Sequence, residues 1–491
     1  MKRSSGILAH ISSLPGEYGI GTLGKEAYHF VDFLEKAGQS YWQVLPIGPT
    51  SYGDSPYSSL SSFAGNPYFI DFDLLTKDRL LKKKDYQDIK WSFKEDEVDY
   101  GILFLNRYRV LRIAVKNFKE NDAYLKFEKE NKFWLDDYAL FMAIKDSLND
   151  ISWLEWPDPL RLKEAAAIKE FIDSHKEDIR FYKVIQYFFY KQFKELKAYA
   201  NLKGISIFGD CPIYVAMDSS DVWGKPELFL LDKNKMPVEV ACVPPDYYSE
   251  TGQLWGNPLY DWSKHKKDDY AWWTSRLKHL TNYFDAIRID HFIGFDSYCS
   301  VNYGDVNAIN FKRHKGPGMK LINVINEKVK NVQIIAEDLG ALTSSMRKLL
   351  ADSGFPGMKV LRFGFDGNKD NEHLPHMYLK NTVAYVSSHD TETCMGWLNH
   401  TSYVERSYIN EYFKISDYNN FNWIAIDKVS SSRANLMIIQ LQDLLGIGDN
   451  GRMNTPATSD GKNWKWRMQS GVLDGKLARK LKVLTEKNNR I

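Results

Sequence analysis

The sequence predicts an α/β chain folded as a (β/α) barrel, and the ends of its apolar runs carry that prediction. Four short runs each stop on an acid: GISIFGDCP at Asp210, FDAIRIDHF at Asp290, NVQIIAEDLG at Glu337 and NTVAYVSSHDTE at Asp390. Helical patterning lies between them. In a (β/α) barrel the active site is assembled at the C-terminal strand ends, from residues far apart in sequence. A single strand-end Asp is usually a helix N-cap. Glu is a poorer cap, and four such acids in one chain point to a site.

In chain order, Gly38–Pro49 reads as a first strand, followed by a Gly/Ser/Pro/Tyr-rich loop from Thr50 to Pro67. Residues 75–202 read as mostly helical, too long for one crossover, and hence as an inserted helical subdomain. Within them Arg161–Leu202 is one long amphipathic stretch, with Gly204 suited to its C-cap. The strand ending at Asp210 returns the chain to the barrel. A second insertion, 212–280, is rich in Pro, Gly, Trp and Tyr and is expected as loops over the cleft. Strands ending near Asp290, Glu337, Arg362 and Asp390 follow at spacings of about 25 to 50 residues, room for one helix each. The tail carries a further loop, GRMNTPATSDGKNWKWR. No run of short, evenly spaced strands follows Trp397, so no separate C-terminal β-domain is expected. Residues 1–491 read as one catalytic barrel domain.

Hydrophobic content of 44% and charged content of 26% are those of an ordinary soluble globular protein. A net charge of +2 is too balanced to argue for nucleic acid or a membrane surface as partner. The 14 Trp, 29 Tyr and 27 Phe supply core, and also flat faces for stacking on sugar rings. Cys211, Cys242, Cys299 and Cys394 form no CxxC pair and lie in segments read as strands or strand ends. Buried reduced thiols in a reducing compartment are the reading. The N-terminal apolar run is broken by His10 and Ser12, unlike a signal peptide. No stretch reaches the roughly 20 apolar residues of a membrane span. A cytoplasmic location is therefore expected. The 11 histidines show no metal-ligand spacing, and there is no phosphate-binding glycine loop or nucleotide fingerprint. Neither a cofactor nor a metal is expected.

The run FDAIRIDHF is the most informative. Side chains alternate along a strand, so Ala286, Arg288 and Asp290 share one face. A charged Arg in a core strand is costly unless a carboxylate pairs with it, and Asp290 is the nearest candidate. Taken alone this is a structural ion pair; with the other strand-end acids it suits catalysis. Paired carboxylates with a third nearby, in an aromatic-rich cleft, are what glycoside chemistry demands. One attacks the anomeric carbon while a protonated one gives its proton to the leaving oxygen. Asp290, with Arg288 beside it, fits the ionised nucleophile. Glu337, on an apolar strand, fits the acid with a raised pKa.

At these residues the chain resembles the amylomaltases, the 4-α-glucanotransferase family of the α-amylase superfamily. The stretches that carry the likeness are RSSGILAHISSLPG, GDSPYSSLSSFAGNPYFID, GDCPIYVAMDSSDVW, PPDYYSETGQLWGNPLYDW, AIRIDHF, IIAEDLG and RMNTPATSDGKNWKWR, in that order. The resemblance implies a (β/α)8 TIM barrel with large inserted subdomains. It implies Asp290 as nucleophile, Glu337 as acid/base and Asp390 as the third carboxylate, binding the distorted donor sugar. Arg288 would orient these acids, and His291, His389 and Asp210 would bond hydroxyls of the donor ring. Tyr57 would stack on that ring, with Ser55 beside it among the binding residues. Gln253 and Trp255 would lie on a loop folding over the cleft, Asn454 near the donor subsites, and Tyr52 in a secondary glucan-binding groove. For Tyr57, Tyr52 and Trp255, packing beneath loops is the competing reading.

The chain departs from the family pattern in places. The family often has Thr before the His-Asp pair and Asn after it, where this chain has Ser388 and Thr391. Cys211 stands where an aliphatic residue is common, and Met217 replaces a polar one. These touch subsite preference, not the reaction. The function implied is transfer of an α-1,4-glucan segment to the 4-hydroxyl of another glucan or glucose. An α-glucan hydrolase with the same carboxylates is the alternative, and a silent glycan-binding protein the most distant one. Oligomeric state and donor length are not specified by the sequence.

Overall fold

The computed structural model describes residues 1–51, 53–245, 249–458 and 461–491. Eight parallel strands form its centre: β1 (Ser4–Leu8), β2 (Tyr41–Gln43), β3 (Ser206–Cys211), β4 (Ala286–Ile289), β5 (Gln333–Ala336), β6 (Gly357–Val360), β7 (Thr382–Tyr385) and β8 (Leu436–Gln440). Their order in the sheet is β6-β7-β8-β1-β2-β3-β4-β5. The Ala336 N–H donates to the Pro356 carbonyl at 2.9 Å, which joins β5 to the approach of β6 and closes the barrel. The strands are almost wholly buried, as parallel strands packed on both faces must be.

The barrel and its insertions follow the sequence reading, with corrections. The strand inside Gly38–Pro49 is the second, not the first. SSGIL at the start of the chain forms β1, a run whose serines and glycine hide it from an apolar scan. LMIIQ forms β8, a strand the sequence reading did not single out. The stretch Arg161–Leu202 is broken twice: Lys163, with a left-handed φ of 58°, and the extended Glu164 precede the helix Ala165–Ser174, and His175, at φ −123° and ψ 31°, parts that helix from Lys176–Leu202. Gly204, with φ of 75°, follows the second as expected of a helix terminator. Cys394 begins a helix, Cys394–His400, rather than lying in a strand. All four cysteines are free and buried.

A second sheet stands beside the barrel mouth, with four antiparallel strands in the order Gln253–Pro258, Glu239–Val243, Ser297–Asn302, Lys312–Lys315. Two of these strands lie between β4 and β5, where one helix alone was expected; KRHK at Lys312–Lys315 has no apolar pattern to reveal it. After β8 the described residues contain helices and loops but no further sheet.

The loop after β2 is fixed by the helix Lys176–Leu202. The Gln186 amide donates to the Gly65 carbonyl at 2.9 Å and accepts the Gly65 N–H at 2.8 Å. Gln192 does the same for Asp71, at 3.0 and 2.7 Å. Gly65 is required there, since a Cβ would sit 2.0 Å from the Phe189 ring. Asp71 then caps the helix Phe72–Lys77 through the Leu74 N–H. Those bonds satisfy backbone groups that would be orphaned under the helices, and they hold the loop carrying Ser55 and Tyr57 against the barrel.

Candidate active site

A cleft of about 2060 Å³ opens at the C-terminal ends of the barrel strands. It is lined by Tyr57, Asp290, Glu337 and Asp390, among others, with Gln253 and Trp255 from the second sheet. The strand-end acids of the sequence are thereby brought together from β3, β4, β5 and β7.

Arg288 is at the centre, 3% exposed. One guanidinium nitrogen reaches Asp210 Oδ2 at 2.6 Å and another Asp290 Oδ1 at 2.7 Å. The sequence pointed to Asp290 as its partner, and the structure adds Asp210 from the neighbouring strand. Two carboxylates on one fork satisfy the geometry a buried Arg needs. The Asp210 side chain is wholly buried. Tyr57 donates its hydroxyl to Asp210 Oδ2 at 2.8 Å, and its oxygen lies 2.8 Å from His389 Nε2. Asp210 thus sits beneath the cleft floor, beside Arg288 and Tyr57 and not open to it. Burial raises the Asp210 carboxyl, against the pull of Arg288. Ser55 Oγ accepts the Tyr57 N–H at 3.2 Å, and the Tyr57 and His389 rings lie parallel with centroids 5.4 Å apart.

Glu337 is buried, and both its oxygens accept backbone N–H groups: Oε2 from His291 at 2.7 Å, Oε1 from Leu339 at 2.6 Å. Burial pushes its pKa up to about 7; Asp290 adds to the rise, while Arg288 and the two N–H donors oppose it. His291 presents its N–H from a left-handed conformation, φ 48°, a strain typical of functional positions in a residue other than glycine. Its ring meets the edge of Trp255 at 5.0 Å.

Asp390 is in the opposite electrostatic state. Burial would raise it, yet His389, Asn454 and Arg288 outweigh burial and hold it well below the usual carboxylate range. His389 Nε2 lies 3.1 Å from Oδ2, and Asn454 Nδ2 donates to Oδ1 at 2.6 Å. Trp255 Nε1 donates to Gln253 Oε1 at 3.2 Å on the strand facing the cleft. Tyr52 lies outside the described residues. Thr391 bonds both the N–H and the carbonyl of Ser388, so the unusual pair closes its own turn. Met217 packs against the small buried cluster of the second sheet, Val240, Cys242, Cys299, Val301 and Ala308.

Two residues escaped the sequence reading. Arg452 donates to the carbonyls of Asp390 and Asn454, at 3.1 and 2.8 Å, and ties their loops together. Trp464 packs against Tyr57 and His389 and carries a left-handed φ of 66°, rare for a bulky residue. Both lie in RMNTPATSDGKNWKWR, where only Asn454 was singled out. Among the described residues no group of three or more His, Cys, Asp and Glu is gathered as metal ligands would be.

A parallel barrel whose strand ends gather three carboxylates about one arginine, one of them near neutral pKa, is the frame of a glycosyl-transferring enzyme. The comparisons with known proteins identify which. The family described as 4-alpha-glucanotransferase matches residues 9–473, and the chain belongs to that family. It is 50% identical to the 4-alpha-glucanotransferase of Clostridium butyricum over 480 residues, 97% of this chain and 98% of that one. It is 43% identical to the Streptococcus pneumoniae 4-alpha-glucanotransferase over 495 residues, 100% and 98% of the two chains. The amylomaltase of Streptococcus agalactiae, solved in complex with acarbose, superposes with a TM-score of 0.97 at 42% identity, over 100% of each chain.

Proposed function

We propose that this protein is a retaining 4-alpha-glucanotransferase acting on α-1,4-glucans and maltooligosaccharides, with Asp290 as nucleophile and Glu337 as acid/base. The observation that carries the roles is the division of charge about Arg288. Asp290 is ion-paired, while Glu337 is buried beside it with a pKa raised to about 7. An Asp290 oxygen attacks C1 of the donor sugar as the bond from C1 to the leaving O4 breaks. The Glu337 proton passes to that O4, and the product is a glycosyl ester on Asp290. The acceptor's 4-hydroxyl then gives its proton to Glu337 and attacks C1, freeing Asp290. Two inversions retain the α configuration.

Asp390, ionised and 40% exposed on its side chain, supplies further negative charge to the oxocarbenium-like transition state and bonds donor hydroxyls. His291, His389 and Asn454 complete the donor subsite, with Tyr57 and Ser55 on its wall. Asp210 serves the subsite from below, through Arg288 and Tyr57. Gln253 and Trp255 cover the cleft and favour a glucan acceptor over water. We read the chain as one catalytic unit, residues 1–491, with insertions at 75–202 and 212–280. Four free, buried cysteines support a reducing, cytoplasmic setting.

The test is incubation of the pure protein with maltotriose, following oligomers and total reducing ends. Exchange of one α-1,4 bond for another conserves chain number, so reducing ends stay constant while glucose, maltopentaose and longer products form. Reducing ends rising in step with glucose would identify a hydrolase, and unchanged sugars with glucan bound would identify a binding protein.

A further inference from the structure

The strand bearing the acid/base is laddered to its neighbour on one side only. β5 pairs with β4 from Gln333 to Ala336. Toward β6 it has the single bond from Ala336 to Pro356, and beyond that bond side chains take over. Asp338, 4% exposed, accepts the Met358 N–H on Oδ1 at 2.6 Å and the Lys359 ammonium on Oδ2 at 3.3 Å. The next N–H on that edge of β6, from Val360, goes to His373 Nδ1 at 3.1 Å. Gly357 leaves the room this needs, since a Cβ there would lie 2.8 Å from both Asp338 oxygens. Lys359 is fixed in turn by Glu372 at 3.1 Å, which Arg347 grips with two nitrogens at 2.9 and 3.1 Å.

Asp338 therefore replaces a missing length of sheet at the point where the chain leaves β5. Its neighbours are Glu337 and Leu339, and the Leu339 N–H holds Glu337 Oε1 at 2.6 Å. We propose that Asp338 is the positioning residue of the acid/base: it pins the Glu337–Leu339 segment to β6 and so aims the Glu337 carboxyl at the leaving oxygen. The inference rests on Glu337 being the acid. A displacement of about 1 Å at a reacting group can cost a hundredfold in rate. The loss falls on the step in which that group gives up its proton.

The experiment is single-turnover formation of the glycosyl-enzyme from two donors, maltotriose and α-maltosyl fluoride. Both deliver a maltosyl group, but only the first has a leaving group that needs a proton. Asp338→Ala should slow the maltotriose reaction about 30-fold or more and the fluoride reaction less than about threefold. Gly357→Ala, which drives a methyl against the Asp338 carboxylate, should give a smaller loss with the same donor bias. It carries the test if Asp338→Ala does not fold. Asp338→Asn keeps an acceptor for the Met358 N–H and should retain most of the rate on both donors. Equal losses on the two donors in Asp338→Ala and Gly357→Ala, or no loss, would overturn the positioning role. Glu337→Gln is the reference. If it shows the donor bias and Asp338→Ala does not, the positioning role alone falls; if it shows none, the acid assignment falls and takes this inference with it.

Discussion

The barrel rim and the four-stranded sheet beside it line the same cleft with different construction. On the rim the Asp290 and Asp390 carboxylates open to the cleft, but the charged groups behind them are sunk into the core: Arg288, Glu337 and Asp338 are 3%, 7% and 4% exposed. Glu337 is held by two backbone N–H groups, Asp338 by a backbone N–H and Lys359, and Arg288 by Asp210 and Asp290. On the second sheet, Leu254 and Trp255 are 43% and 36% exposed. The strand Gln253–Pro258 pairs with its neighbour through an irregular register, and among the described residues Trp255 meets the rings of Tyr214 and His291 edge-on and donates to Gln253. Buried charge costs stability unless partnered, so the rim ties its charges to one another and to the backbone, although Arg288 Nε and Asp210 Oδ1 are left without a hydrogen bond. An exposed aromatic strand costs little and adds contact area. Under the proposed roles, the difference separates the groups that would set the reaction from those that would select the acceptor.

The largest effect that can test this division is at Asp290. Asp290→Asn removes the proposed nucleophile while keeping shape, and should lower turnover by about a thousandfold or more, with glucan affinity largely retained. Retention of more than about a tenth of the activity would remove Asp290 from the role, because loss of a covalent route costs far more than that.

The second effect is smaller and carries a sign. Burial raises Glu337 from an ordinary 4.5 to about 7, so it is protonated, and competent as an acid, below that pH. Glycosyl-enzyme formation from maltotriose should fall about tenfold per pH unit above 7, whereas formation from α-maltosyl fluoride should stay nearly flat. The same shift bears on stability. Between 4.5 and 7 the folded state binds the extra proton, so Glu337's contribution is full below 4.5 and is lost as pH rises through 7. Glu337→Gln has no such loss. Its stability relative to the wild type should therefore rise between pH 4 and pH 8, on top of a pH-independent loss from setting the amide NH2 against one of the two backbone N–H donors. Urea unfolding at both pH values measures it, and a stability difference between variant and wild type that is the same at pH 4 and pH 8 would mean the burial cost is not Glu337's.

How far the sequence could be read follows the same division. Charges inside apolar runs are conspicuous because burial makes them expensive, and Asp210, Arg288, Asp290, Glu337 and Asp390 all stood out for that reason. β1 and the strand Lys312–Lys315 did not stand out. SSGIL is short and half polar, and KRHK lies on an exposed sheet edge where nothing demands apolar residues. Asp338 directly follows Glu337 in NVQIIAEDLG, but its bond to Met358 joins two strands and has no local signature. Arg452 and Trp464 act across turns of a loop, through backbone carbonyls and ring packing, which no spacing rule encodes.

The smallest effect comes from Trp255 and tests the separation most directly. Trp255→Ala removes an aromatic face from the cleft while leaving every rim contact to Asp290 and Glu337 in place. A lost stacking surface of this kind is worth roughly 1 kcal/mol, so KM for maltotriose should rise about five- to tenfold with kcat within about threefold. Water should reach the glycosyl-enzyme more often, so reducing ends should now climb slowly during a maltotriose incubation. The informative measurement is the pH limb near 7. Trp255 touches the His291 ring, and the His291 N–H holds Glu337 Oε2, so one path does run from the second sheet to the acid. The rim fixes that N–H through β4 and the left-handed turn at His291, so the path should carry nothing and the limb should stay at 7. A limb displaced by half a unit or more in Trp255→Ala would join the two regions into one device, with the sheet tuning the acid it covers. An unchanged KM would instead return Trp255 to the packing residues and leave acceptor selection to other side chains of the cleft.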